Sequence, residues 1–269
     1  MRIYSNPYEL MSETARNLWE MGTEVKPKTY QNKNIEGKDD YITKELICEQ
    51  YCLTHMDDPS PLFVFTKSKD WADAEFVERV SGKMINPGKA WELRPEVWRE
   101  FLVNGAFDYT YSERISSEVS YNGTLLTKLG AVINLLKDDN DTRKAILNIY
   151  GDISENIYDH ISEGYSLEVA DCDSNYLDGS RRIPCSMYYD FLVRENAKGE
   201  KQLNICYHQR SSDFVTHFGN DVYLAWKLME YVAREIKIQP GYLYHTIDSL
   251  HSYKKDWLKL KTSIQMELR

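Results

Sequence analysis

No stretch of the chain approaches the roughly 18 consecutive apolar residues of a membrane-crossing helix, and the opening residues MRIYSNPYEL lack the apolar core of a secretory signal. The expectation is a cytoplasmic protein without a membrane partner. Cysteine is sparse and odd in number, with five residues at positions 48, 52, 172, 185 and 206. That argues against a disulfide framework and makes reduced thiols the default. Positive charge is also in deficit, with 33 Lys plus Arg against 42 Asp plus Glu and a formal charge of -9. Non-specific nucleic-acid binding needs a basic field, so no nucleic-acid partner is expected, although a small anion in a locally basic pocket remains compatible. Repeats, low-complexity runs and a composition break that would mark a linker are all missing. One domain spanning residues 1–269 is expected.

Aromatic residues are plentiful at 13%, including 20 Tyr and 6 Trp. Most should pack a core, and the remainder could face a flat ligand. Apolar residues at Leu10, Met11, Ala15, Leu18 and Trp19 predict a helix over Pro7–Met21, with Asn6 as its cap and Pro7 in the first helical position. Further helices are expected at Ala72–Val80, Pro95–Leu102 and Leu125–Leu136. Ser186–Arg194 and Gln202–Gln209 are rich in branched and aromatic residues and flank the polar ENAKGEK, which predicts a β-hairpin. Asp221–Ile238 reads as an apolar helix capped by Asn220 and stopped by Pro240 and Gly241, and Tyr242–Ile247 as a short strand. Helices and strands in mixed order, without a repeating βαβ unit, make the fold class α+β.

Cys185 lies in SRRIPCSMYY, three residues after Arg182, where guanidinium groups would stabilise a nucleophilic thiolate. Taken alone, an inert half-buried strand cysteine explains it better, since most cysteines behave as small hydrophobes. Cys206 sits between Ile205 and Tyr207 and reads as packing. Cys48, Cys52 and His55 could present three metal ligands on a helix face, but no fourth ligand is near and a core helix explains them better. In QRSSDFVTHFGND, Gln209–Asp221, Arg210 with Ser211 offers the charged fork and hydroxyl that suit a phosphate. Arg143 and Lys144 form a second basic pair.

These residues together resemble the thymidylate synthase family. The carrying motifs are Pro184-Cys185, the hairpin after it, Gln209-Arg210-Ser211-Ser212-Asp213, Asp221 eleven residues after the arginine, and His251-Ser252-Tyr253. The resemblance implies a mixed β-sheet flanked by helices and a homodimer acting on a pyrimidine nucleoside monophosphate, with folate as its other partner. It implies that Cys185 adds to carbon 6 of the base, so that carbon 5 can take the one-carbon unit of 5,10-methylenetetrahydrofolate. Arg210 and Ser211 would hold the phosphate with Arg143 and Lys144 of the second subunit, and His251 and Tyr253 the sugar hydroxyl. Asp213 and Trp98 would face the folate. Tyr111 matches an active-site tyrosine, and Glu75 in EFVERVSG the general acid/base glutamate, although Glu78 stands where the family has tryptophan.

Asp221 occupies the position at which thymidylate synthases carry asparagine. An ionised carboxylate only accepts hydrogen bonds, which suits the amino group of cytosine better than the imide edge of uracil. The pairs Asn220-Asp221 and Ser249-Leu250 before His251 also resemble cytidylate hydroxymethylases, and Ser186 stands where thymidylate synthases follow the cysteine with histidine. The chain ends 16 residues after Tyr253, where thymidylate synthases continue to a tail that excludes water from the folate. The expected activity is therefore 5-hydroxymethylation of CMP or dCMP. Thymidylate synthase or uridylate hydroxymethylase activity, and a catalytically silent nucleotide-binding protein, are the alternatives.

Overall fold

The computed structural model describes residues 1–30, 33–151 and 173–265. Strands β1 (Arg2–Tyr4), β2 (Thr23–Val25), β5 (Thr43–Leu53), β8 (Ile146–Asn148), β9 (Ser186–Glu195), β10 (Lys201–Asp213) and β11 (Gln239–Tyr253) join in one sheet. Its order is β1-β5-β11-β10-β9-β8, with β2 paired to β5. The β1–β5 and β10–β11 pairs are parallel and the others antiparallel, so the sheet is mixed and the fold α+β. Two small hairpins stand apart, β3 (Thr29–Tyr30) with β4 (Lys33–Asn34), and β6 (Glu118–Tyr121) with β7 (Thr124–Thr127).

The helices are α1 (Pro7–Met21), α2 (Lys69–Arg79), α3 (Pro95–Trp98), α4 (Tyr111–Ser116), α5 (Lys128–Asp138), α6 (Gly219–Ile236) and α7 (Trp257–Gln265). Helix α1 matches its predicted span. The Asn6 side chain accepts from Glu9 N at 2.9 Å, and Pro7 opens the helix where no backbone donor is needed. Its buried face, Leu10, Met11, Ala15 and Leu18, supplies one edge of the core.

Several expectations are corrected. Pro95–Leu102 is one helical turn, α3, followed by a 3-10 turn at Arg99–Phe101. Leu125 and Leu126 belong to strand β7, because Asn122 and Gly123 both adopt positive φ and close a hairpin before α5 begins. The Cys48–Cys52 segment is strand, with Cys48 at φ 54°. Cys48 is exposed while Cys52 is buried, and among the described residues no group of three or more His, Cys, Asp or Glu could hold a metal ion. Cys172 lies outside the described residues. Strand β11 runs fifteen residues through the centre of the sheet and includes Pro240, whereas α6 ends earlier, at Lys237 in the left-handed conformation.

Asn220 does not cap α6 but lies inside it. Its amide oxygen accepts from Ser68 Oγ at 2.7 Å, tying the helix to the segment before α2. The turn ahead of it, Phe214–Phe218, has π-helical geometry and is capped by Asp213, whose carboxylate accepts from Val215 N at 3.1 Å. This turn carries the chain from the end of β10 into α6 and so sets the position of Asp221.

Across the sheet, Tyr51 of β5, His245 of β11, Tyr207 of β10 and Tyr189 of β9 stand directly opposite one another in register. The rings of Tyr189 and Tyr207 stack at 4.4 Å, as do those of Tyr207 and His245, while Tyr51 meets His245 edge-on at 5.3 Å. Offset aromatic pairs of this kind contribute about 0.5–1.5 kcal/mol each beyond their buried area. They also pin the register of four strands, since a slip by one residue would move every ring to the other face.

Helix α6 packs against this sheet through Val222, Ala225, Met229, Val232 and Ala233. It approaches so closely at its start that a Cβ on Gly219 would lie 1.9 Å from the carbonyl oxygen of Leu62. Gly219→Ala must displace backbone, and urea denaturation should show a loss of about 1–3 kcal/mol.

Candidate active site

The carboxyl ends of β10 and β11, the residues before β9, α2, α4 and the start of α6 surround a cavity of about 530 Å³, within the range of small-molecule sites. It is lined by Cys185, Arg210, Ser211, Asp213, Asp221, His251, Tyr253, Glu75, Tyr111 and Trp98. Residues separated by nearly 180 positions thus meet in one place. Arg143 and Lys144 are exposed in the approach to edge strand β8 and do not line this cavity.

Cys185 directly precedes β9, and the structure locks its backbone from the neighbouring strand. Arg210 N donates to Cys185 O at 2.9 Å, Arg210 Nε to Pro184 O at 2.8 Å, and Arg210 Nη2 to Ile183 O at 3.1 Å. The cysteine sulfur lies 3.6 Å from Ser211 Oγ. Arginine, serine and thiol therefore form one compact cluster on the cavity wall.

Tyr111 opens α4, whose start is fixed by a capping box between Thr110 and Glu113. Its hydroxyl accepts from Ser186 Oγ at 3.2 Å, and Ser186 Oγ also meets Tyr207 OH across a short contact of 2.5 Å. Burial holds the Tyr111 phenol well above its ordinary pKa, so it stays a neutral donor. Behind it lies Arg79, a buried guanidinium 4.0 Å from the Tyr111 ring centre that donates from Nε to Glu75 Oε1 at 2.9 Å. Glu75 is thus a cavity carboxylate held by a buried cation. Glu78 also lines the cavity, but its Oε1 accepts from Lys89 N at 2.6 Å and Ala90 N at 3.0 Å and so ties down the following loop.

On the far side, Trp71 and Trp98 stack at 5.5 Å and 22°, and Trp91 and Phe107 extend the aromatic wall. Trp98 Nε1 and Arg94 Nη1 are buried and have no hydrogen-bond partner among the described residues. His217 lies against Trp98 and is held neutral, its pKa pushed down to about 3 by burial and then by Arg94 and Arg182. Burial raises the carboxyl of Asp213, while His251 opposes that shift. Tyr253 is likewise raised by burial and then by Asp213, so its hydroxyl remains protonated.

Asp221 stands two residues into α6, and both of its protein donors reach the same oxygen. Gln209 Nε2 and Ser212 Oγ each donate to Oδ2 at 3.0 Å. Burial pushes its pKa up to about 6 in spite of those bonds and of Arg79 and Arg94. The carboxylate is therefore poised to exchange a proton near neutrality.

The profile of the thymidylate synthase family matches residues 86–269, more than half of the chain. The chain belongs to the thymidylate synthase family. Proteins of Methanosarcina mazei and Methanosarcina barkeri that carry the provisional name thymidylate synthase are 26% and 27% identical over 173 residues, covering 62% of this chain and 65% of each relative. The chain thus spans somewhat less than two thirds of their length. The solved thermostable thymidylate synthase A of Bacillus subtilis superposes with a TM-score of 0.70 at 13% identity, over 97% of this chain and 84% of that one. That likeness establishes the fold.

Sequence reasoning missed Arg79, although an arginine four residues after Glu75 is ion-pair spacing on a helix and could have shown it. It also missed the aromatic wall of Trp71, Trp91 and Phe107, whose residues carry no mutual spacing signal. The raised carboxyl of Asp221 yields a stability signature. With its folded pKa above the ordinary carboxylate value, the native state keeps a proton that the unfolded chain releases between about pH 4 and pH 6. Stability from this group is complete below that window and lost above it. Asp221→Asn should therefore unfold with about 1–3 kcal/mol more free energy than wild type at pH 8, and with no gain below pH 4, as measured by denaturation across pH.

Proposed function

We propose that the protein is a cytidylate 5-hydroxymethylase acting on CMP or dCMP with methylenetetrahydrofolate as co-substrate. The observation that carries this reading is Asp221, a carboxylate whose two protein donors converge on Oδ2 while it faces the cavity that holds Cys185. Oδ1 is left for the base. Thiolate addition from Cys185 to carbon 6 pushes an electron pair through carbon 5 towards ring nitrogen 3, which becomes more basic. A carboxyl that titrates at about 6 shares a proton with that nitrogen and accepts from the exocyclic amino group. Ionised, it would set an unpaired charge against a uracil carbonyl, a mismatch costing on the order of 1–3 kcal/mol or more.

The remaining roles follow the cluster. Arg210 keeps one guanidinium nitrogen for the phosphate after its two carbonyl bonds, and Ser211 adds a hydroxyl. Arg143 and Lys144, exposed beside the edge strand, would reach the phosphate in the other subunit of a homodimer. His251 and Tyr253, whose rings meet edge-on at 5.2 Å, would donate to the sugar hydroxyl. Glu75 would move protons at the reacting carbons, with Arg79 fixing the position of its carboxylate.

The orphaned Trp98 indole N–H, the stacked indoles and buried Asp213 fit a flat ring system that both donates and accepts, which is the character of the pterin. Bound there, methylenetetrahydrofolate supplies the one-carbon unit.

A uridylate activity is the second reading, favoured by the names of the relatives. A silent nucleotide-binding role is disfavoured because Glu75, Tyr111 and Cys185 line one cavity. With methylenetetrahydrofolate present, purified protein should release tritium from carbon 5 of CMP or dCMP and not of UMP or dUMP. Release from dUMP alone would overturn the reading, and dihydrofolate formation would indicate a methyl product instead. Cys185→Ala should lose turnover by at least a thousandfold, on the order of 4 kcal/mol of barrier, while still folding.

A further inference from the structure

Behind Asp221 lies a buried line of polar groups that the reaction as described does not use. Tyr51 OH and His245 Nδ1 are 2.7 Å apart, His245 Nε2 and Gln209 Oε1 are 2.9 Å apart, and Gln209 Nε2 donates to Asp221 Oδ2 at 3.0 Å. Tyr51, His245 and Gln209 are each no more than 1% exposed. The line begins in β5, crosses β11 and β10, and ends in α6.

We propose that Tyr51, His245 and Gln209 form a directional hydrogen-bond chain that delivers a donor to Asp221 Oδ2 and thereby makes them positioning residues for base selection. The inference rests on the reading that Asp221 meets the base.

The direction follows from the inventory of donors. An ionised Asp221 can only accept, so the Gln209 amide must turn its nitrogen to Asp221 and its carbonyl to His245. A carbonyl can only accept, so His245 must carry its proton on Nε2. A neutral imidazole then has a bare Nδ1, and Tyr51 must donate to it. Burial keeps His245 neutral, its pKa pushed down to about 3, and keeps the Tyr51 phenol protonated. Each bond fixes the next, and the stacked Tyr207 ring prevents the imidazole from turning out of line.

Were Asp221 to hold a proton on Oδ2 and donate it to Gln209, the whole chain would have to reverse. Gln209 would flip, His245 would change tautomer, and Tyr51 would become the acceptor. The chain therefore resists protonation of Oδ2 and directs a shared proton to Oδ1, the side of the ligand. It acts among other groups that face Asp221. Arg79 of α2 and Arg94 favour the carboxylate, Ser212 of β10 donates to it, and the charge of Asp221 bears on Tyr111 of α4, Tyr189 of β9, Tyr207 of β10 and Tyr51 of β5.

The test uses the full chain, labelled for nuclear magnetic resonance. In wild type at pH 8 the His245 imidazole should be neutral with its proton on Nε2, and in Tyr51→Phe the Nε2–H population should fall. The carboxyl carbon of Asp221 should titrate higher in Tyr51→Phe than in wild type, by about half a unit or more. The same variant should narrow the kcat/KM preference for cytidylate over uridylate about tenfold. An Nδ1–H tautomer in wild type, or an Asp221 titration and a base preference unchanged in Tyr51→Phe, would overturn the proposal. A wild type that prefers uridylate, with both spectroscopic results as expected, upholds the chain and refutes the assignment of the base instead.

Discussion

The alignment of four neighbouring strands at the level of Tyr51, His245, Tyr207 and Tyr189 is the constraint on which the other arrangements depend. Stacked rings hold that alignment from within the core, and the residues two positions further along β10 and β11 inherit it. Gln209 and Ile247 are paired in the same register, as are Ser211 with Ser249 and Asp213 with His251. The cavity is thus an extension of the sheet past its packed centre. Groups that line the cavity are rigid because their neighbours along the strand cannot slide.

From that platform two connections lead away and return chemistry to the same point. The π-helical turn after Asp213 brings α6 back across the strand end, so that Asp213 and Asp221 flank the cavity from one continuous segment. The chain before β9 brings in Cys185, while α2 and α4 supply Glu75 and Tyr111 with Arg79 between them. Each polar side chain in this ring either has a partner in the protein or faces the cavity. Trp98 Nε1 and Arg94 Nη1, buried without a hydrogen-bond partner among the described residues, lie on the aromatic side.

Legibility of the sequence followed the locality of the forces. Helix α1 and the β9–β10 hairpin were readable because cap, periodicity and turn residues all lie within one short window. Cys48 and Cys52 misled because residues four apart share a face in a strand as they do on a helix, and β5 keeps one register with β11 from Thr43 to Leu53. Strand β11 was read too short because Thr246 and Asp248 point away from the core and Pro240 stands near its start, where it removes only one ladder donor. Asn220 looked like a cap, but the π-helical turn begins the helical path earlier and puts the capping task on Asp213. The cavity residues carried by motif were brought together. Arg143 and Lys144 were not, since they lie exposed in the approach to edge strand β8.

The side chain of Arg210 has a consequence that belongs to ligand affinity and not to architecture. Because the same guanidinium ties Ile183 and Pro184 in place and borders the cavity, an anion that immobilises it would also restrict the cysteine loop. On the reading proposed above, binding of the phosphate at Arg210 would thereby order the Cys185 thiol at the other end of the nucleotide. A fragment lacking the phosphate would meet a looser thiol, and the loss would appear in the rate of bond formation before it appeared in occupancy.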